Sequence, residues 1–178
     1  MEEAIESGVK PIQLVVFKVH DEVLAAKITS IREVLKLETI TRVPSSHPFI
    51  AGVVNIRGKI IPVMDLGIVL KIDSKGLRGD YILLTSAPDN SLVGMIVNEV
   101  ISIRYFSAEE IKPAPKLVES KISEEFIEGV VLPENINNVQ EQDVILLVDL
   151  EAIINGSVAE VLKQVRSEQD VLVTKEAS

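Results

Sequence analysis

The sequence predicts an all-β protein of two five-stranded lobes related by a pseudo-two-fold axis, with short helices and one helix near the C-terminus. Three observations predict it. Most apolar residues fall in short runs rich in Val and Ile, which suit pleated, half-buried strands. The segment Phe49-Ile50-Ala51-Gly52-Val53-Val54 returns as Phe126-Ile127-Glu128-Gly129-Val130-Val131, identical at five of six positions. With 178 residues, 47% of them hydrophobic, the chain can bury a core but has room for only one ordinary domain or two very small ones.

In chain order, Leu14 to Val19 and Val23 to Ile28 read as two strands parted by the turn His20-Asp21-Glu22. Ser46-His47-Pro48 starts a short helical turn with Pro where its missing N–H costs nothing. Further strands are expected at Val53 to Ile56, Ile60 to Met64, Tyr81 to Thr85, Leu92 to Val97, Val100 to Phe106 and Val144 to Asp149. Between the last two, Ser107 and Glu110 form a capping box for a turn halted by Pro113 and Pro115. Ile154, Val158, Val161, Leu162 and Val165 then share one helical face, opened by a Ser157/Glu160 capping box.

The repeat extends beyond the hexapeptide. Downstream of each copy lies an apolar strand ending in Asp-Leu, at Asp65-Leu66 and Asp149-Leu150. Upstream, Leu24, Ala25, Ile28, Ile31 and Val34 pair at constant offset with Val93, Gly94, Val97, Val100 and Ile103. Two units of this size, each marginal alone, predict small closed sheets sharing an apolar seam, with a groove beside it.

Composition removes most chemistries. A net charge of −9 and 3% aromatics argue against nucleic acid, which needs a basic face and stacking rings. Without cysteine there is no disulfide, thiolate metal site or cysteine nucleophile. No apolar run approaches the ~20 residues of a membrane span, and the acidic N-terminus lacks the pattern of a signal peptide. A soluble, cytoplasmic, non-enzymatic protein without metal or cofactor is therefore expected. His20 and His47 lack a second ligand at metal-binding spacing and read as surface histidines. The pairs Glu2-Glu3, Glu109-Glu110 and Glu124-Glu125 read as solvated charges, and Arg78-Gly79-Asp80 and Asn155-Gly156-Ser157 as a turn and a helix cap.

One segment is left without a purely structural reading. In Asn55-Ile56-Arg57-Gly58-Lys59, Gly58 supplies the positive φ of a hairpin turn and Asn55 also suits that turn, but nothing local asks for Arg57. It is either a solvated arginine or a partner contact. The second copy has no equivalent and runs seven residues longer between its Gly and its Asp.

The eighteen residues from Phe49 to Leu66 resemble the signature of CheW-like domains, with further matches at Val93 to Val100, Ile111 to Pro115 and Phe126 to Gly129. The resemblance covers about residues 12–154. It implies two SH3-like barrels, with a first lobe of about 22–80, a second of about 12–21 plus 81–154, and a helix and polar tail over 155–178. It also implies an adaptor of chemotaxis that joins the cytoplasmic tips of methyl-accepting chemoreceptors to the histidine kinase CheA, recruited to membrane-associated arrays without inserting in the membrane. Related systems controlling pili or development, or more remotely a small-molecule sensor, are the alternatives. Carried over by residue, Arg57 matches the family arginine of partner contacts, with Asn55 and Gly58 beside it, and Ile31 and Glu33 fall in the segment at the inter-lobe groove. Ile31, Val97 and Val100 are candidates for the groove floor, or else core. Two departures stand out: the longer segment Leu132 to Gln142, and Ile56 where Leu is commoner.

Overall fold

The computed structural model describes residues 8, 10–44, 47–72, 79–114, 122–132, 144–156, 159, 161–165 and 167. Its strands are β1 (Ile12–Val19), β2 (Glu22–Lys27), β3 (Glu33–Lys36), β4 (Ile50–Ile56), β5 (Lys59–Asp65), β6 (Tyr81–Ser86), β7 (Leu92–Val97), β8 (Glu99–Phe106), β9 (Ile111–Lys112), β10 (Ile127–Val131) and β11 (Ile145–Val148). Two short helices, α1 (Leu66–Val69) and α2 (Leu150–Asn155), begin at the leucines of the two Asp-Leu pairs. The strands form a six-stranded sheet, β8-β1-β2-β11-β10-β9, and a five-stranded sheet, β3-β6-β7-β5-β4.

Omitting two-residue β9, the two orders correspond strand for strand. Each sheet combines the opening hairpin of one repeat with the later strands of the other. The hairpins join through parallel pairs in one register: Val63 faces Gly94 across β5 and β7, and Leu147 faces Ala25 across β11 and β2. This exchange corrects the expected lobe boundaries. β2 was expected in a first lobe over 22–80 but lies in the six-stranded sheet; β6 and β7 were expected in the second lobe but lie in the five-stranded one. The chain changes sheet in the 3-10 turn Ile28–Ser30 and again at Asn98, whose N–H donates to the Lys18 carbonyl at 2.9 Å.

Both sheets curl towards closure. Thr41, beyond β3, bridges Val53 on the opposite edge strand; Lys112, beyond β8, pairs with Val130. The approach leaves no room for a side chain on the bulged strand. A Cβ on Gly129 would lie 2.7 Å from the Lys112 carbonyl oxygen, and one on Gly52 would run into that of Thr41 and lie 2.7 Å from Ile40 Cγ2. Gly52 also has φ +148, where L side chains are strained. The bulges, between Ile50 and Gly52 and between Ile127 and Gly129, fall at equivalent places, at the starts of β4 and β10.

Strand alternation divides the core. Leu14 and Val16 point into the interior of the six-stranded sheet with Ala25, Val131, Ile145 and Leu147. Val54, Ile61, Val63, Ile82, Leu84 and Ile96 fill the other. The largest cluster lies between the sheets: Val15, Phe17, Val19 and Leu24 from one meet Met64, Leu83, Val93 and Met95 from the other. This is the expected seam.

Asp65 and Asp149 cap the two helices, accepting from Ile68 N at 3.2 Å and Ala152 N at 3.0 Å. The predicted C-terminal helix is divided. Ile154 ends up in α2, and Val161, Leu162 and Val165 in a second helical stretch; all four are buried against the seam. Val158 and the Ser157/Glu160 cap lie outside the described residues. The Ser107 cap is formed, with its N–H donating to Glu110 Oε2 at 2.6 Å. Pro48 and Phe49 form a turn, closed from Ile50 N to the His47 carbonyl at 3.1 Å.

Candidate functional site

Arg57 and Gly58 are the two central residues of the β4–β5 hairpin, with Ile56 paired to Lys59 on either side. Their φ values of 51° and 82° are both left-handed, as in a type I′ turn. Nothing lies within 4 Å of a Cβ added at Gly58, so conformation rather than space selects glycine there. Asn55 fixes the turn by accepting from Gly58 N at 2.9 Å. Arginine in this conformation costs roughly 1–2 kcal/mol that glycine or asparagine would largely avoid.

Its side chain leaves the fold and is 72% exposed, anchored where Nη2 donates to Glu33 Oε1 at 2.6 Å. That bond and the carboxylate charge raise the guanidinium pKa further above its usual value. Solvent screens the pair, so its main effect is to orient the arginine while leaving most of its five donors available. Arg32 lies beside Glu33 in sequence, its Nε donating to Ser86 Oγ at 2.8 Å, and Ile60 opposite Asn55 is 45% exposed. Arg32 and Ile60 were missed from sequence because exposure depends on how the sheet ends, which spacing does not encode.

The structure therefore gathers Glu33, Asn55, Arg57 and Gly58 into one place. It does not bring the three aliphatic candidates to that place. Val97 faces Tyr81 at the other end of the five-stranded sheet and is 1% exposed within the seam, so it is core and cannot serve as a groove floor. Ile31 and Val100 are partly buried against the same seam cluster, at equivalent positions of the two repeats. Leu132 is exposed, and the longer segment after it (133–143) lies outside the described residues. No helix among the described residues is long and apolar enough to cross a membrane.

A cavity of 290 Å³ opens at the end of the five-stranded sheet opposite the Arg57 turn. Leu37, Ile40, Val43, Ile50, Ile68 and Ile96 wall it, and Arg42 and Asp65 supply its charges. Its residues are scattered between Leu37 and Ile96, so no local motif announces it. In the other lobe, the positions equivalent to Ile96 and Ala51 are Lys27 and Glu128, joined by a 2.8 Å ion pair.

These features define a two-lobed all-β domain whose most distinctive side chain is held outward on a turn, as suits a scaffold that binds other proteins. Residues 13–158 match the model of the CheW-like domain, and the chain belongs to that family. It is 32% identical over 131 residues to the chemotaxis protein CheW of Bacillus subtilis, spanning 74% of this chain and 81% of that one. It is 25% identical over 148 residues to a probable chemotaxis protein CheW of Rhizobium etli, spanning 83% and 90%. The crystal structure of the scaffolding protein TtCheW from Thermoanaerobacter tengcongensis matches with a TM-score of 0.68 at 27% identity, over 83% of this chain and 90% of that one.

Proposed function

We propose that this chain is a non-enzymatic adaptor that couples the cytoplasmic tips of chemoreceptors to the histidine kinase CheA. Membership of a family of chemotaxis scaffolds supports the class of function. The observation that carries the specific reading is Arg57, held outside the core at a strained turn and oriented by Glu33, with Arg32 and exposed Ile60 nearby. A guanidinium flanked by apolar surface suits a helical partner that presents an acidic side chain beside its apolar stripe. Such a contact buries roughly 1,000 Å² in total and binds at micromolar strength. An array then strengthens it, because a second contact forms at high effective concentration.

The test is Arg57→Glu in pull-downs with receptor cytoplasmic fragments and CheA, and in reconstituted kinase assays. We expect an unchanged circular dichroism spectrum and melting curve, with binding to at least one partner weakened several-fold. Arg57→Glu combined with Glu33→Arg restores the ion pair without restoring the cation at the turn, and binding should stay weak. Unchanged binding of both partners by Arg57→Glu removes the residue from the site.

A further inference from the structure

The cavity opposite the Arg57 turn is unlike a leftover packing gap. Six branched aliphatic side chains line it, and so do one cation and one anion that form no ion pair with each other. Arg42 is exposed and has no hydrogen-bond or ion-pair partner among the described residues. Asp65 uses Oδ1 to cap α1, which leaves Oδ2 to accept from something else. At 290 Å³ the cavity is at the small end of ligand pockets, which suits a small metabolite.

We propose that this cavity binds a free α-amino acid with a branched aliphatic side chain, its carboxylate on Arg42 and its ammonium on Asp65. Charge selects this class. A simple carboxylate would meet Arg42 but also face Asp65; a simple amine would meet the reverse. A neutral hydrocarbon would shield both charges from water and satisfy neither, which is costly. A zwitterion pairs both, and the side chain of leucine or isoleucine offers apolar surface to the aliphatic walls. The other lobe supplies an independent pointer. At the equivalent place it carries its own ammonium–carboxylate pair, Lys27 with Glu128, where this lobe has Ile96 and Ala51. One lobe fills that wall with a tethered ion pair; the other leaves it apolar and has Arg42 and Asp65 elsewhere on the lining. This inference is independent of the adaptor reading.

The experiment is methyl NMR and calorimetry on the full chain with L-leucine as the probe and no partner protein present. Saturable, millimolar binding is expected, with shifts concentrated at the methyl groups of Ile40, Ile50, Ile68 and Ile96. The ligands 4-methylpentanoate, 3-methylbutylamine and glycine each lack one recognised part and should bind at least about tenfold more weakly, as expected when a charged hydrogen bond or the apolar body is lost. Arg42→Ala alters an exposed side chain and should weaken leucine binding by a similar factor with the melting curve unchanged. Ala51→Glu, which builds half of the other lobe's pair, should block the cavity. No saturable shift with leucine overturns the proposal. So does equal binding of 4-methylpentanoate, or leucine affinity that Arg42→Ala leaves untouched.

Discussion

The two lobes match where the backbone is constrained and differ where side chains meet solvent. Both place a bulge before a glycine, both bring a carbonyl against that glycine, and both end a strand in an aspartate that caps a helix. Even one long-range bond recurs: the N–H of Asp65 donates to the Phe49 carbonyl and that of Asp149 to the Phe126 carbonyl, each at 2.8 Å. The differences cluster at the ends of the sheets. One lobe carries the tight Arg57–Gly58 turn and a cavity; the other carries a longer connection and the Lys27–Glu128 pair. Duplication thus supplies a frame whose two ends can diverge without disturbing the strands between them.

Because each sheet borrows a hairpin from the other repeat, the lobes should not unfold separately. Phe17 is fully buried in the seam, in a strand whose alternate residues line the six-stranded sheet. Phe17→Ala should cost about 3–5 kcal/mol through lost burial and the cavity left behind, and should lower both lobes in one transition. The chain's two tyrosines report on them individually, Tyr105 on β8 and Tyr81 on β6. Denaturation followed with each tyrosine retained alone should give coincident curves. Separate midpoints would mean that the exchange does not bind the lobes together.

The two glycines allow a finer comparison. Gly52 combines a left-handed φ with the Thr41 carbonyl in its way, whereas Gly129 has only the crowding, at 2.7 Å from the Lys112 carbonyl oxygen. Gly52→Ala should destabilise by about 2–4 kcal/mol, the sum of backbone strain and overpacking, and Gly129→Ala by less because the strain is absent. Equal urea midpoints for the two variants would show that conformation is not what separates them.

Much of this frame is readable in the chain. The repeated hexapeptide locates equivalent strands in both lobes, the two Asp-Leu pairs mark the ends of equivalent strands, and the Val- and Ile-rich runs place most strands within a few residues. The bulges and the helices that start at Leu66 and Leu150 emerge only in the structure. The exchange of hairpins is not readable, because nothing local distinguishes β2 pairing with β11 from β2 staying with its own repeat. Val97 shows the same limit. Its apolar character fits a groove floor and a seam equally, and only its burial in the seam cluster, opposite Tyr81, decides. Arg57 stood out because a turn explains its neighbours and not itself; the cavity did not, because its walls are drawn from β4, β7, α1 and the connection after β3.

The smallest expected effect concerns Lys27. Its bond to Glu128, opposed by the cost of burial and helped by the charges of Glu128, Asp149 and Glu151, raises its pKa above the usual 10.5. A lysine whose folded pKa lies above its unfolded one contributes stability that is fully present below the unfolded value and lost as pH rises through the folded value. The side chain is 41% exposed, so solvent screening keeps the contribution under about 1 kcal/mol. Lys27→Gln should therefore be slightly less stable than the parent at pH 7, with the gap closing at pH values above 10.5. A double-mutant cycle with Glu128→Gln should give a coupling of about 0.2–1 kcal/mol at pH 7. No coupling at pH 7 would reduce the pair to two adjacent surface charges. The equivalence with Ile96 and Ala51 in the other lobe would then describe position alone.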